Sequence, residues 1–543
     1  MSLIGVLDLT GPYVALIFHL CFIFTITFLI LSTKDLIKIF KGISKKTWFI
    51  LILIMILGLF IRINASPFTD SFNSVGWPYM TSAYELSKSD ITDYIHTNFS
   101  IGYPLIISLF YRFSGLSDIL VYKINIIFGT LNIFLIFLLM YILFKKEKIA
   151  LLTSLFFALD FNIINLAVRT GAHSIFFFFI ILSLIFMFLT IYTKNKKFLI
   201  TTVFLFSFTH YIRYEFLLVS FLVVLFMLFF AKIKIPKRQS LLLMVIFLIL
   251  MIPTIILITI TYGMVNEAVI HDINKQGILS PDIFTVSKVF YSLPFFLSSY
   301  FNILSWDSSK TSIGILLIPF ILGIYFFFKQ KYYIKYKFQL VFLTVWFILQ
   351  NSIYIASRLG SRYLGFAYLP FLIIASFLIY IGIDNISRLI NHKIQLRTKI
   401  SKNTIFLILT LIFFSSTIYS ALSMDKIKIF NGKILSETIH TIKKLDKDSY
   451  LILAGDTIGQ VVFIAGNNNH IQYEDIDVNK LRNLMEKNKT IYMITYKKYF
   501  DEQLNFHSFY SKKVYNQGSL LTNIFRLELI DSKETIELYQ LKN

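Results

Sequence analysis

Nine ionisable residues stand at the edges of long apolar runs: Asp70, Asp160, Arg169, His173, His210, Arg213, Glu215, Arg358 and Arg362. A carboxylate held above an apolar cavity can act as a general base toward a hydroxyl. Asp70 is the candidate, in Phe68-Thr69-Asp70-Ser71-Phe72, followed by Trp77, Tyr79, Ala83, Tyr84 and Leu86. Arginines in a low-dielectric site can clamp a phosphate through their planar fork of donors. Arg169, Arg213, Arg358 and Arg362 are the candidates. Plainer readings stand beside these. Asp70 could be a helix cap or a loop carboxylate, each arginine could snorkel to the interface, and His173 and His210 could be satisfied polar residues. Glu267 and His271 are four apart, but two groups do not make a zinc site. The sequence supports no metal, and no cofactor is certain.

The elements that must carry these residues are membrane helices. Apolar residues make up 56% of the 543, and mean hydropathy is +0.71. Runs such as Ile175–Leu189 are part of stretches long enough to cross a ~30 Å hydrocarbon layer at 1.5 Å per residue. The net charge is +22. Nearly all of it sits in six short clusters between apolar runs: Lys34–Lys46, Lys145–Lys148, Lys194–Lys197, Lys232–Arg238, Lys329–Lys337 and Arg388–Lys402. That is the positive-inside pattern of a bilayer protein, and it argues against a nucleic-acid partner. Cys21 is the single cysteine, so no intramolecular disulfide can form. The run from Val14 to Leu31 reads as a membrane helix rather than a cleaved signal.

With the basic loops inside, about a dozen spans are expected, at 12–32, 47–63, 121–144, 149–167, 173–193, 198–213, 215–231, 240–262, 312–328, 339–356, 363–384 and 404–422. The expected fold is a polytopic α-helical membrane domain over 1–422 with a soluble extracytoplasmic α/β domain over 423–543, in a multi-pass protein of the cell membrane. The outer regions are 64–120, 263–311 and the tail. Ser82–Leu86 reads as a short helix. Ile101–Phe113 is too short to span and reads as an interfacial helix with Tyr103, Tyr111 and Arg112 as its wet edge. In the tail, Ser436–Leu445 has helical spacing, and Tyr450–Ala454, Ile491–Thr495, Phe525–Ile530 and Thr535–Leu541 read as strands. Asp456-Thr457-Ile458-Gly459 lacks the glycines and lysine of a phosphate loop and reads as a turn.

Four stretches, in this order and on one side of the membrane, carry a family resemblance. They are Asp70 with Tyr79–Leu86; Gly102-Tyr103-Pro104-Leu105 through Phe113-Ser114-Gly115; Val168-Arg169-Thr170-Gly171; and Ser361-Arg362-Tyr363-Leu364 with Pro370. Over about 47–422 the chain resembles the integral-membrane glycosyltransferases of the GT-C superfamily. It looks closest to the branch of protein O-mannosyltransferases and the lipid A aminoarabinose transferase. The resemblance implies a polyprenyl-phosphate sugar donor and an acceptor hydroxyl on a glycan, lipid or protein. Asp70 would deprotonate the acceptor, which would attack the anomeric carbon with inversion. Arg362 first, then Arg169 and Arg213, would stabilise the departing phosphate, with His173, Tyr363, Arg358 and Tyr103 completing the substrate site. The chain departs from the family at Ser71, where a second acidic residue is common, which speaks against a metal there. It also departs at His173, where Asp is common, and in having the extra first span. It has no Trp-Trp-Asp motif. The competing readings are a transporter or flippase of lipid-linked saccharides, a polymerase or ligase using 263–311, and an assembly protein working through its tail.

Overall fold

Each of the twelve expected spans holds α-helix over most of its described residues in the computed structural model, with 149–167 broken at Asp160. The structure describes residues 3–66, 77–88, 100–114, 118–213, 216–229, 238–255, 316–357, 364–394, 401–422, 444–445, 450–453, 470–472, 478–487, 489–496, 526–532 and 536–542. Helices run in the order α1 Leu3–Phe40, α2 Lys45–Ala65, α3 Trp77–Lys88, α4 Gly102–Ser114, α5 Asp118–Phe144, α6 Glu147–Leu159, α7 Phe161–Ala167, α8 His173–Thr193, α9 Lys196–Ile212 and α10 Leu217–Phe229. Then come α11 Arg238–Ile255, α12 Leu317–Lys329, α13 Tyr332–Lys335, α14 Lys337–Ser357, α15 Leu364–Ile394 and α16 Lys402–Leu422. Among the described residues six helices are long and apolar enough to cross a membrane unaided, or seven with the α6–α7 pair, which bends by 62° at Asp160. The protein is a polytopic α-helical membrane protein.

Contacts divide the chain into two units, one holding residues 1–66, 79–112 and 122–427, the other holding 67–78, 113–121 and 428–543. In the helical unit α8 is nearly enclosed, while α1, α2 and α11 turn Leu, Ile and Phe outward, as lipid-facing helices do. The tightest crossing joins α12 and α15, where Gly323 meets the Leu378 backbone and Gly382 meets that of Pro319. Small residues let membrane helices approach to backbone contact. At the basic-cluster ends, Glu147 opens α6 and accepts from Ser44 N and Oγ, both at 2.9 Å. It also accepts from Thr47 Oγ1, so it seals the start of α2, whose own cap is Ser44.

In the second unit the strands are β1 Tyr450–Leu453, β2 His470–Gln472, β3 Ile491–Tyr496, β4 Arg526–Ser532 and β5 Ile536–Lys542, with α17 over Val478–Glu486 before β3. They form one sheet in the order β2-β1-β3-β5-β4. β1 is parallel to β2 and β3, and β5 is antiparallel to β3 and β4. All four expected strand runs fall in this sheet; β2 and α17 are additions, and most of Ser436–Leu445 lies outside the described residues.

Candidate functional site

Opposite the basic clusters, α4 meets α5 and the end of α9. At the centre is Asn125 on α5, which the sequence reading passed over. Its Nδ2 donates to the carbonyls of Arg169 at 2.7 Å and Gly171 at 3.2 Å, and to the Tyr103 hydroxyl at 3.1 Å. One amide thus ties α4 to the turn between α7 and α8. Tyr103 is fully buried, with Tyr79 of α3 edge-on to its ring at 5.2 Å between centroids. Burial pushes its hydroxyl well above the usual phenol range, so it remains a neutral donor.

The turn carries two of the expected site residues. Arg169 is half-buried, and its Nε donates to Asn165 Oδ1 at 2.9 Å. Burial lowers its pKa. His173 opens α8 and is 6% exposed. Its ring lies against Gly171, where a Cβ would come 3.3 Å from Cδ2.

Arg213 ends α9. Its backbone turns extended after donating to Thr209 O at 3.2 Å, and the residue is 5% exposed. An exposed arginine would snorkel; a buried one is held for a purpose or a partner. The preceding turn touches α4, where a Cβ on Gly102 would come 2.8 Å from Ile212 N and 2.8 Å from Tyr211 C. Gly102 thus lets Tyr103 and Arg213 sit on adjoining backbones. His210 takes no part here; its Nδ1 pairs with Thr254 Oγ1 of α11 at 2.9 Å. Asp160 caps α7, accepting from Ile163 N at 2.9 Å, and so holds the α6–α7 bend.

The structure therefore brings together Tyr103, Arg169, His173 and Arg213. Asp70, Glu215, Arg358, Arg362 and Tyr363 lie outside the described residues. One expectation is corrected. Tyr103 and Tyr111 are not the wet edge of α4: Tyr111 is also buried, with its hydroxyl on Met80 Sδ at 3.3 Å. The exposed face is Leu109, Phe110, Arg112 and Phe113, because the polar groups of α4 find partners inside. A second residue missed is Arg62, in the last turn of α2. At the end of an apolar run it reads as a snorkelling cation, yet it is wholly buried.

Beyond Arg213 the chain re-enters at Phe216, whose N–H donates to Arg213 O at 3.1 Å. Phe216 stacks edge-on to Phe176, one turn after His173, at 5.5 Å. It also begins the lining of an apolar groove of about 290 Å³ bounded by Leu184, Met187, Phe206, Val219, Phe342 and Trp346.

The helical bundle thus sets a buried arginine, a half-buried arginine and a buried tyrosine at one set of helix ends. Residues 99–257, which hold Tyr103, Asn125, Arg169, His173 and Arg213, match the family model described as dolichyl-phosphate-mannose-protein mannosyltransferase. Two crystal structures of ArnT from Cupriavidus metallidurans are similar in fold. The apo structure has TM-score 0.52 and 11% identity, and the structure bound to undecaprenyl phosphate has TM-score 0.53 and 10% identity. Each covers 92% of this chain and 98% of its own. The GT-C resemblance read from the sequence is borne out at the level of fold. No curated protein matches the chain in sequence.

Proposed function

We propose that the protein is a membrane glycosyltransferase that moves a sugar from a polyprenyl-phosphate donor to an acceptor hydroxyl on the extracytoplasmic side. The observation that carries this is the joining of Tyr103, Arg169, His173 and Arg213 at one set of helix ends, inside the segment that matches the mannosyltransferase model. The positive-inside rule puts those ends and the C-terminal unit outside. Arg169 and Arg213 hold the phosphate, and the groove that begins at Phe216 takes the first part of the lipid tail. A polyprenyl chain is apolar, and this groove offers it apolar walls.

In this reading Asp70 takes the proton of the acceptor hydroxyl as its oxygen bonds to the anomeric carbon. The bond from that carbon to the phosphate oxygen breaks with its electron pair, and the configuration inverts. The leaving phosphate gains charge, which the arginines offset, Arg362 among them. Tyr363 and Arg358 complete the substrate pocket. Binding of radiolabelled undecaprenyl phosphate to the purified protein tests this. Saturable binding is expected, weakened at least tenfold by Arg213→Ala. Binding that Arg213→Ala and Arg169→Ala both leave untouched would refute the phosphate site.

A further inference from the structure

Arg62 has a built environment that the phosphate site does not use. It is fully buried in the last turn of α2. Its Nη1 donates to Gly58 O at 2.9 Å and, across helices, to Ala158 O of α6 at 3.2 Å. Asp160, two residues further along at the 62° bend, acts on it electrostatically and is itself 3% exposed. Two glycines make room for the guanidinium. A Cβ on Gly58 would come 3.1 Å from Nη1, and one on Gly129 of α5 would come 3.3 Å from Nε. Among the described residues Nε and Nη2 make no hydrogen bond, and neither does Ser174 Oγ, which faces the same glycine.

A buried arginine is costly at membrane depth, and a plain packing role would be better served by Leu or Met. Its bonds run to the place where α6 turns into α7, from the turn where α2 ends. Ser66 N–H closes that turn, donating to Arg62 O at 3.0 Å and Ile63 O at 3.3 Å. Asp70 follows four residues later in sequence. We propose that Arg62 is a positioning residue: anchored to the bend before Asp160, it fixes the point at which the chain leaves α2 toward Asp70. This rests on the reading of Asp70 as the base. The required precision is of the kind that lets a displacement of about 1 Å cost up to ~10²-fold in rate.

Charge compensation alone is the competing role, and a paired substitution separates the two. Arg62→Met removes a buried cation that interacts with Asp160 and should lower the melting temperature by several degrees. Arg62→Met with Asp160→Asn removes both charges, keeps a capping side chain on α7, and should restore the melting temperature. In that double variant, amide exchange over Ile63–Ser66 should stay faster than in the wild type by about tenfold or more. With undecaprenyl-phosphate mannose as donor and native membranes as the acceptor source, kcat should stay low by about tenfold or more while KM moves less than threefold. Return of both stability and exchange to wild-type values in the double variant would overturn the proposal. Asp70→Asn should abolish transfer while leaving exchange over Ile63–Ser66 unchanged. An active Asp70→Asn protein would sink the base assignment alone, since the exchange result stands by itself.

Discussion

Gly102→Ala tests the joint on which the site geometry rests. The added methyl would lie 2.8 Å from Ile212 N, 2.8 Å from Tyr211 C and 2.9 Å from Tyr211 O. Carbon and backbone atoms settle at about 3.5–4.0 Å, so α4 and the end of α9 must part by roughly 0.7–1.2 Å. The neighbours are backbone, so no side chain can swing away instead. Overpacking of this kind costs about 1–3 kcal/mol. Since Tyr103 and Arg213 flank the contact, the same displacement moves the proposed phosphate site, and weaker binding of undecaprenyl phosphate is expected. Thermal unfolding in detergent and binding of undecaprenyl phosphate read the two effects. Gly42→Ala is the control, its nearest neighbour being Tyr141 Oη at 3.8 Å. A Gly102→Ala protein that melts and binds like Gly42→Ala would refute the close approach of α4 and α9.

Asn125→Ala strips a donor from one buried and one half-buried carbonyl and from the Tyr103 hydroxyl. Orphaned groups cost about 1–3 kcal/mol each, so a melting-temperature drop larger than that of Gly102→Ala is expected. Gly382→Ala would set a methyl 2.8 Å from Pro319 C and 3.0 Å from its Cα, wedging α15 from α12; the folded yield, read by size exclusion in detergent, should fall sharply. Glu147 is partly desolvated, which raises its pKa. The bonds from Thr47 and Ser44 outweigh this and hold it below the ordinary 4.5. Its contribution to stability is therefore complete above about pH 4.5 and is lost as pH falls through the lowered value. A Glu147→Gln protein should show a smaller acid-induced drop in melting temperature between pH 5 and 3 than the wild type, in a pH series of melts.

The spans were legible because period and charge placement are local properties of the chain. Clusters such as Lys194–Lys197 punctuate the apolar runs, and the helices begin and end beside them. Arg169 and Arg213 were legible for a related reason, as cations at span edges. Asn125 was not: one amide in a 27-residue helix has no local signature, and its three partners lie on α4 and the Arg169 turn. Arg62 escaped because only tertiary packing, with glycines at 58 and 129, distinguishes a buried arginine from a snorkelling one. Reading α4 as wet along Tyr103 and Tyr111 failed for the same cause. Hydroxyls on an amphipathic helix signal water or an internal partner alike, and here the partners are Asn125 and Met80. The α/β tail was readable in its strands, since alternation marks Ile536–Lys542, whereas three-residue β2 is too short to show a period.

Sugar transfer by purified protein from undecaprenyl-phosphate mannose and other undecaprenyl-phosphate hexoses, followed as release of undecaprenyl phosphate, tests the central claim most directly. The wild type should release the lipid phosphate only when an acceptor fraction is present. Asp70→Asn should fold with an unchanged melting temperature and lose release by about 10²-fold or more. An Asp70→Asn protein with wild-type release, or a wild type that releases nothing from any such donor, would contradict the account.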